Sequence, residues 1–266
     1  MGLKNILVHL DTQPHTEQRL ECALALAKKS GARIIGLSVI THSLLDPAEQ
    51  DAIRAEIQLQ ELFERKVEQA EVDAEWQRVD VRVMQRSVAE VVNHYACFAD
   101  LIVVGQPDSR SKNTNGTADL PARVILGSGR PVLIVPYAGV FSSVGEKVLV
   151  AWHAGRESSR ALNDALPILK RADQVHIFEV NPTEQAREDL ERLCVHLADH
   201  AVTARAETSV VTELAIGDVL LNRVADGGSD LLVMGAYAYT HFGTYVLGDI
   251  AKHIMRHMTV PVIMSH

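Results

Sequence analysis

The sequence predicts an α/β protein made of two similar halves in tandem, each containing a parallel sheet. Short apolar runs alternate with helix-like patterns along the chain, and one set of motifs occurs twice. Strands that alternate with helices favour right-handed crossovers and a parallel sheet that helices cover on both faces. A chain of 266 residues is long enough to bury a core in each half.

The repeated motifs match at two constant spacings. The segment Asp-Leu-Ile-Val-Val-Gly at residues 100–105 matches Asp-Leu-Leu-Val-Met-Gly at 230–235, an offset of 130. Near the start of each half, residues 6–11 match residues 148–153 at an offset of 142. The difference of twelve between the two offsets indicates additional residues in the middle of the first half.

These offsets predict the domain organisation. The first domain spans residues 1–138 and contains a long helical insertion around 47–75, whereas the second domain spans residues 145–266. The insertion is rich in charged residues, which favours a helix with one face in solvent.

Each element follows from its local pattern. Residues 6–10 form a short apolar run typical of a strand that is buried on both faces. Thr16 is the predicted N-cap of a helix whose apolar residues recur at helical spacing as far as Gly31. The other strands predicted in the first half are 33–40, 76–83, 101–104 and 132–135, with helices over 47–72, 89–98 and 120–126. The strands predicted in the second half lie near 147–152, 174–180, 205–211, 231–234 and 261–264.

Charge and composition exclude several classes of partner. The formal net charge is -8, whereas a protein that neutralises a phosphate backbone needs a basic face. No run of eighteen apolar residues occurs, and the first residues lack the layout of a signal peptide. The cysteines, Cys22, Cys97 and Cys194, are odd in number and far apart, so they predict no disulfide framework. We therefore expect a cytoplasmic protein with no nucleic-acid partner and no membrane partner.

The order of the motifs resembles that of the universal stress protein family, specifically its tandem two-copy members. The segments that carry the resemblance are residues 147–152, 230–237 and 256–263, and the match covers essentially the whole chain. The resemblance implies a Rossmann-like (adenine nucleotide alpha hydrolase-like) fold with a five-stranded parallel sheet in each half. It also implies that the two halves pack as an intrachain pseudo-dimer through their last strands.

The second half keeps the spacing of the family's nucleotide motif but only part of its chemistry. Nucleotide-binding members carry Gly-x-x-Gly, nine further residues and then Gly-Ser or Gly-Thr, together with an aspartate after the first strand. The corresponding positions here are Gly235, Ala238, Gly248 and Asp249, and the aspartate is replaced by His153. A carboxylate beside a phosphate is repulsive unless a cation intervenes.

The first half departs from the motif in the opposite sense. It keeps the aspartate after the first strand, Asp11, but places Gly105, Asp108, Ala118 and Asp119 at the motif positions. Two carboxylates near the expected phosphates make this half a poor site for ATP, so we predict that the second half holds the better remaining anion site.

Ligands of open parallel sheets bind outside the carboxyl ends of the strands, and the candidate residues lie there. In the second half they are His153, Val180, Met234, Gly235, Tyr237, Ala238, Gly248, Asp249 and Ile250, and in the first half Asp11, Val39 and Gly105. We predict no catalytic residue, because no Gly-x-Ser-x-Gly elbow follows a strand and no phosphate-binding P-loop occurs. We predict no metal site either, because the histidine pairs spaced four apart lack a third ligand.

Three functional hypotheses follow from the residues and the resemblance. The leading one is a non-enzymatic stress-response or signalling protein that binds a small ligand or a protein partner. One form of this hypothesis adds a homodimer of the whole chain. The resemblance implies ATP or AMP, with or without Mg²⁺, as the ligand. The second hypothesis is slow ATP hydrolysis with Mg²⁺ held by Asp119 or Asp249. The third is a docking module in which neither pocket binds a ligand.

Overall fold

The computed structural model describes residues 2–41, 50–107, 119–141, 143–241 and 244–266. The chain divides into two compact units, residues 2–142 and residues 143–266. Within the described ranges, no helix has both the length and the apolar character needed to cross a membrane.

The first unit alternates strands with helices. Its elements are β1 (Asn5–Leu10), α1 (Thr16–Ser30), β2 (Arg33–Ile40), α2 (Gln50–Ala70), β3 (Ala74–Asp80), α3 (Val81–Met84), α4 (Val88–Ala96), β4 (Leu101–Gly105), α5 (Leu120–Gly127) and β5 (Val132–Val135). These strands form a parallel sheet in the order β3-β2-β1-β4-β5. The strand order reverses between β1 and β4, so their carboxyl ends flank the place where such sheets bind ligands.

The second unit repeats this architecture. Its elements are β6 (Lys147–Ala151), α6 (Arg156–Leu169), β7 (Gln174–Val180), α7 (Ala186–Asp199), β8 (Ala204–Ser209), α8 (Ile216–Gly227), β9 (Leu231–Gly235), β10 (Ala238–His241), β11 (Thr244–Leu247), α9 (Asp249–His257) and β12 (Val262–Ser265). Strands β12, β9, β6, β7 and β8 form its parallel sheet in that order. Each unit is therefore an α/β fold with a parallel sheet, as the sequence predicts.

One aspartate in each unit ties together the amino-terminal ends of two neighbouring strands. The Asp100 carboxylate accepts hydrogen bonds from the backbone N–H groups of Lys4 and Asn5, at 2.7 and 2.9 Å. In the second unit, the Asp230 carboxylate accepts equivalent bonds at 3.0 Å from Gly145 and Lys147. These bonds explain why both copies of the repeated motif begin with aspartate.

The start of α1 and the end of β3 are among the predicted boundaries that differ from the structure. Helix α1 begins at Thr16 with His15 as its N-cap, because the Thr16 hydroxyl is hydrogen-bonded to Asp11 instead of capping the helix. Strand β3 ends at Asp80, and residues 81–84 form the short helix α3 where the sequence predicts more strand.

The second unit also contains a hairpin that the sequence does not predict. Strands β10 and β11 pair in antiparallel fashion, with Ala238 opposite Leu247 and His241 opposite Thr244. They begin at the motif position 238 and extend to the residue before Gly248, where the sequence pattern predicts no strand.

Helix α2 lies in the predicted insertion, and its inner face holds Phe63. Glu56, Leu59 and Phe63 are its buried residues and are spaced to lie on one face. The Phe63 ring packs 5.1 Å from the Trp76 ring, and a Cβ at Gly36 would lie 2.5 Å from it. Gly36 therefore makes room in the sheet for this aromatic anchor.

We expect Phe63→Ala to lower the free energy of unfolding by about 3 kcal/mol, because it leaves a cavity between α2 and the sheet. Ile57→Ala on the same helix is the matched control, since Ile57 is 52% exposed, and it should cost about 0.5 kcal/mol or less. Urea unfolding at neutral pH measures both values. Equal losses in the two variants would contradict the anchoring role of Phe63.

Candidate functional site

A cavity of about 560 Å³ opens at the carboxyl ends of the strands in the second unit. His153 lies just beyond β6, Val180 ends β7 and Gly235 ends β9. Because these strands are parallel neighbours, their ends converge at one edge of the sheet. Helix α6 and helix α9 begin beside the same cavity.

The walls of the cavity are mostly apolar and partly aromatic. Trp152 is half-buried, and its backbone N–H donates to the Phe178 carbonyl oxygen at 2.9 Å, which holds this turn against β7. The apolar lining residues are Ala151, Trp152, Phe178, Val180, Ile216, Leu220, Met234, Tyr237, Ile250 and Ala251. Such a lining suits an apolar or aromatic ligand body.

The ionisable groups at the cavity are mainly acidic. Glu157 lies in the first turn of α6 and Asp249 in the first turn of α9, and both line the cavity. His153 is exposed, and its Nδ1 lies 3.3 Å from Oε1 of the buried Glu179. The exposed Asp249 carboxylate lies 3.7 Å from the Lys252 ammonium group. Because solvent screens such an exposed ion pair, Lys252 neutralises the Asp249 charge only in part.

Other parts of the protein lie directly against the two motif glycines of the second unit, Gly235 and Gly248. A Cβ at Gly235 would lie 2.6 Å from the backbone carbon of Glu157 and the backbone nitrogen of Ser158, so this glycine allows α6 to approach β9. The Gly248 N–H donates to the Tyr237 carbonyl oxygen at 2.8 Å. This bond joins the two ends of the hairpin.

At the strand ends of the first unit, a buried arginine occupies the space beside the motif glycine Gly105. Arg19 in α1 is 4% exposed. Its Nη2 donates to Asp11 Oδ1 at 3.1 Å, and its Nη1 donates to the His9 carbonyl oxygen at 2.6 Å. The aspartate that the resemblance assigns to adenosine therefore has an internal partner.

The same guanidinium group packs against the end of β4. A Cβ at Gly105 would lie 2.8 Å from Arg19 Nη2 and 2.9 Å from its Cζ. The absence of a side chain at Gly105 thus makes room for Arg19. In the second unit the residue at the offset of 142 is Ala161, which has no side chain long enough to reach the strand ends.

The environment of Arg19 shifts two pKa values. Burial by itself would raise the pKa of Asp11. The Arg19 charge, the nearby His9 and hydrogen bonds from Thr16 and Arg19 outweigh burial and hold this pKa well below its ordinary value. Burial lowers the pKa of His9 to about 4, Asp11 acts in the opposite direction, and Arg19 lowers it further. His9 is therefore neutral at physiological pH.

The structure brings most of the predicted second-half residues together. His153, Val180, Met234, Gly235, Tyr237, Gly248, Asp249 and Ile250 all line the cavity. Ala238 is the first residue of β10. Their role in binding stays a prediction.

The predicted first-half residues are arranged differently. Asp11 and Gly105 meet at Arg19, whereas Val39 is a half-buried residue near the end of β2. Asp119 is the exposed N-cap residue of α5 and its side chain makes no capping bond. The motif positions Asp108 and Ala118 lie outside the described residues.

The sequence prediction missed several residues of these two sites. Arg19 interrupts the apolar face that Ala23 and Ala27 continue at spacings of four, and that interruption was the available signal. Trp152, Phe178 and the α8 residues of the cavity wall have no comparable signal, because their patterns are those of ordinary core residues.

Metal binding finds no support in the described part of the chain. Within it, no group of three or more histidine, cysteine, aspartate or glutamate side chains is placed to hold a metal ion.

The chain belongs to the universal stress protein family, whose model matches it twice, over residues 2–136 and 145–266. It is similar over 98% of its length to a universal stress protein from Archaeoglobus fulgidus DSM 4304, with 97% of that chain covered, 18% identity and a TM-score of 0.74. A functionally unknown protein from Pseudomonas aeruginosa PAO1 is similar over 99% of this chain and 92% of its own, with 15% identity and a TM-score of 0.65. At these identities the similarity shows the fold alone. No curated protein is significantly similar in sequence.

We expect Arg19→Met to lower the free energy of unfolding by about 3 kcal/mol at pH 7, because it leaves a partly buried carboxylate without its cation. The double variant Arg19→Met/Asp11→Ala should lose less than the single variant, since it removes the uncompensated charge as well. Chemical unfolding of both proteins measures the difference. A double variant that is the less stable of the two would contradict this role of the ion pair.

His9 should make stability depend on pH. Its pKa is lowered from 6.5 to about 4 in the folded state, so its contribution is fully present above pH 6.5 and is lost as the pH falls towards 4. Between pH 7 and pH 5 this amounts to about 2 kcal/mol of unfolding free energy. His9→Leu should lose correspondingly less over that interval in urea unfolding. Parallel pH profiles for the two proteins would show that His9 is not the titrating group.

Proposed function

We propose that this protein is a non-enzymatic stress-response protein that binds a small ligand in the cavity of its second unit. Family membership supports a role in stress response. The cavity supports ligand binding, since its size and mainly apolar walls are typical of small-molecule sites. An adenosine-like body is one candidate ligand, which the family resemblance suggests.

The observation that carries this proposal is the contrast between the strand ends of the two units. In the first unit Arg19 contacts both Asp11 and the end of β4. In the second unit the position of Arg19 is taken by Ala161, and a cavity lies at the strand ends. The end of β4 is thus packed by a long charged side chain in the first unit, whereas a cavity lies at the strand ends of the second unit, which favours ligand binding there.

Among the residues that the structure describes, the polar groups at the cavity favour binding over turnover. Asp249, the candidate Mg²⁺ ligand of the hydrolase hypothesis, is exposed and lies beside Lys252. His153 faces Glu179, but neither has a nucleophile among its hydrogen-bond partners in the part of the chain that the structure describes. We therefore propose no reaction for this cavity.

The test uses two uncharged probes, adenosine and 3-ethylindole, titrated into the whole protein by calorimetry. We expect at least one to bind, and Val180→Trp to weaken its binding by about tenfold or more by filling the cavity. Val39→Trp is the matched control, because Val39 lies near the end of the corresponding strand in the first unit. It should leave the affinity unchanged.

Thermal unfolding of both variants establishes that they are folded, since overpacking by a larger side chain costs about 1–3 kcal/mol. Failure of both probes to bind the folded wild-type protein would overturn the proposal. Equal weakening of binding by Val39→Trp and Val180→Trp would move the site away from the second unit.

A further inference from the structure

We infer that the cavity of the second unit selects an aromatic ligand that is neutral or positively charged and disfavours nucleoside phosphates. This inference rests on the proposed ligand-binding role of that cavity and adds its chemical selectivity. It depends on three features: the backbone donors that the hairpin uses, the glycine contacts and the charges at the cavity.

Part of the backbone that would cradle a phosphate pairs within the hairpin. A phosphate-binding loop needs several free N–H groups that point towards one anion. Residues 238–241 and 244–247 instead pair with each other as β10 and β11. The Gly248 N–H, next along the chain, donates to the Tyr237 carbonyl oxygen.

The space beside Gly235 is also occupied by the protein itself. Its missing Cβ leaves room for the backbone of Glu157 and Ser158 at the start of α6, at a distance of 2.6 Å. In a phosphate-binding motif that space would admit the anion. Here the amino-terminal end of a helix occupies it.

The charges at the cavity also oppose an anion. Two helices begin there, and a helix N-terminus normally attracts negative charge. Each already has a carboxylate in its first turn, Glu157 in α6 and Asp249 in α9. No lysine or arginine is among the lining residues in the described part of the chain, and the buried Glu179 lies behind His153.

The aromatic lining favours a ligand with a cationic or neutral ring system. Trp152, Phe178 and Tyr237 line the cavity, and aromatic faces attract both aromatic rings and cations. The Arg223 guanidinium lies 5.8 Å from the centre of the Phe178 ring, but it is paired with Glu207 and does not line the cavity. The cavity therefore combines aromatic surface with carboxylates, which is complementary to an aromatic amine.

The experiment varies charge on one ring. Tryptamine, 3-ethylindole and indole-3-propionate, which are a cation, a neutral molecule and an anion, are titrated into the full chain at pH 7.5. We expect tryptamine to bind about tenfold more tightly than indole-3-propionate, from the Coulomb energy of carboxylates at the cavity. Adenosine should likewise bind more tightly than AMP or ATP, with or without Mg²⁺.

The variant Glu157→Gln/Asp249→Asn should reduce the preference for tryptamine over indole-3-propionate to about threefold or less, because both first-turn charges are gone. Glu188→Gln/Asp189→Asn is the matched control. It removes two exposed carboxylates from the first turn of α7, and neither of them lines the cavity. It should keep the wild-type preference.

The outcomes separate this inference from the proposal on which it rests. If the neutral probes bind but indole-3-propionate or ATP binds as tightly as its cationic or uncharged counterpart, the charge selectivity is wrong and the binding site stands. A preference that is equally reduced in both double variants also contradicts the inference, since it would reflect net charge. Failure of the uncharged probes would instead overturn the binding role itself.

Discussion

The arrangement of both strand-end sites depends on the register of two neighbouring parallel strands, which a single aspartate fixes in each unit. Asp100 holds the backbone at the start of β1 beside β4, and Asp230 holds the start of β6 beside β9. Each carboxylate accepts more than one backbone N–H bond, a geometry that strongly favours one placement. Because parallel strands keep their register along their length, these bonds also determine which residues meet at the opposite ends.

The two units share one sheet architecture, and a difference at very few residues gives their strand ends different chemistry. Arg19 and Asp11 form an ion pair at the strand ends of the first unit, while Ala161 and His153 stand at the matching positions of the second. A buried guanidinium group needs acceptors, and the first unit provides them in Asp11 and the His9 carbonyl oxygen. If position 161 were an arginine, the position that matches Asp11 would still hold His153 and not an aspartate. One substitution therefore cannot reproduce the Arg19–Asp11 ion pair in the second unit.

The sequence predicts the strands of both sheets well because the signals for them are local. Strands such as 33–40, 132–135 and 174–180 are short apolar runs between turn signals, and the observed bounds coincide with the predicted ones. The sequence analysis predicts no strand where the hairpin lies, although residues 239–246 are rich in aromatic and β-branched side chains. The Arg19 contact and the cavity walls join residues distant in sequence, and no local pattern shows whether such residues fill a space or leave it open.

The second-unit cavity is best understood as a feature that stability alone does not require. Trp152 stays half-buried and Tyr237 is 63% exposed, although deeper burial of such rings would contribute roughly 25 cal/mol for each Å² removed from water. In the first unit the buried Arg19 side chain packs against the end of β4. Aromatic walls and the two first-turn carboxylates, Glu157 and Asp249, surround this opening, so ring contacts and charge dominate what it can recognise. Any ligand of this site must therefore be recognised by its shape, its rings and its charge.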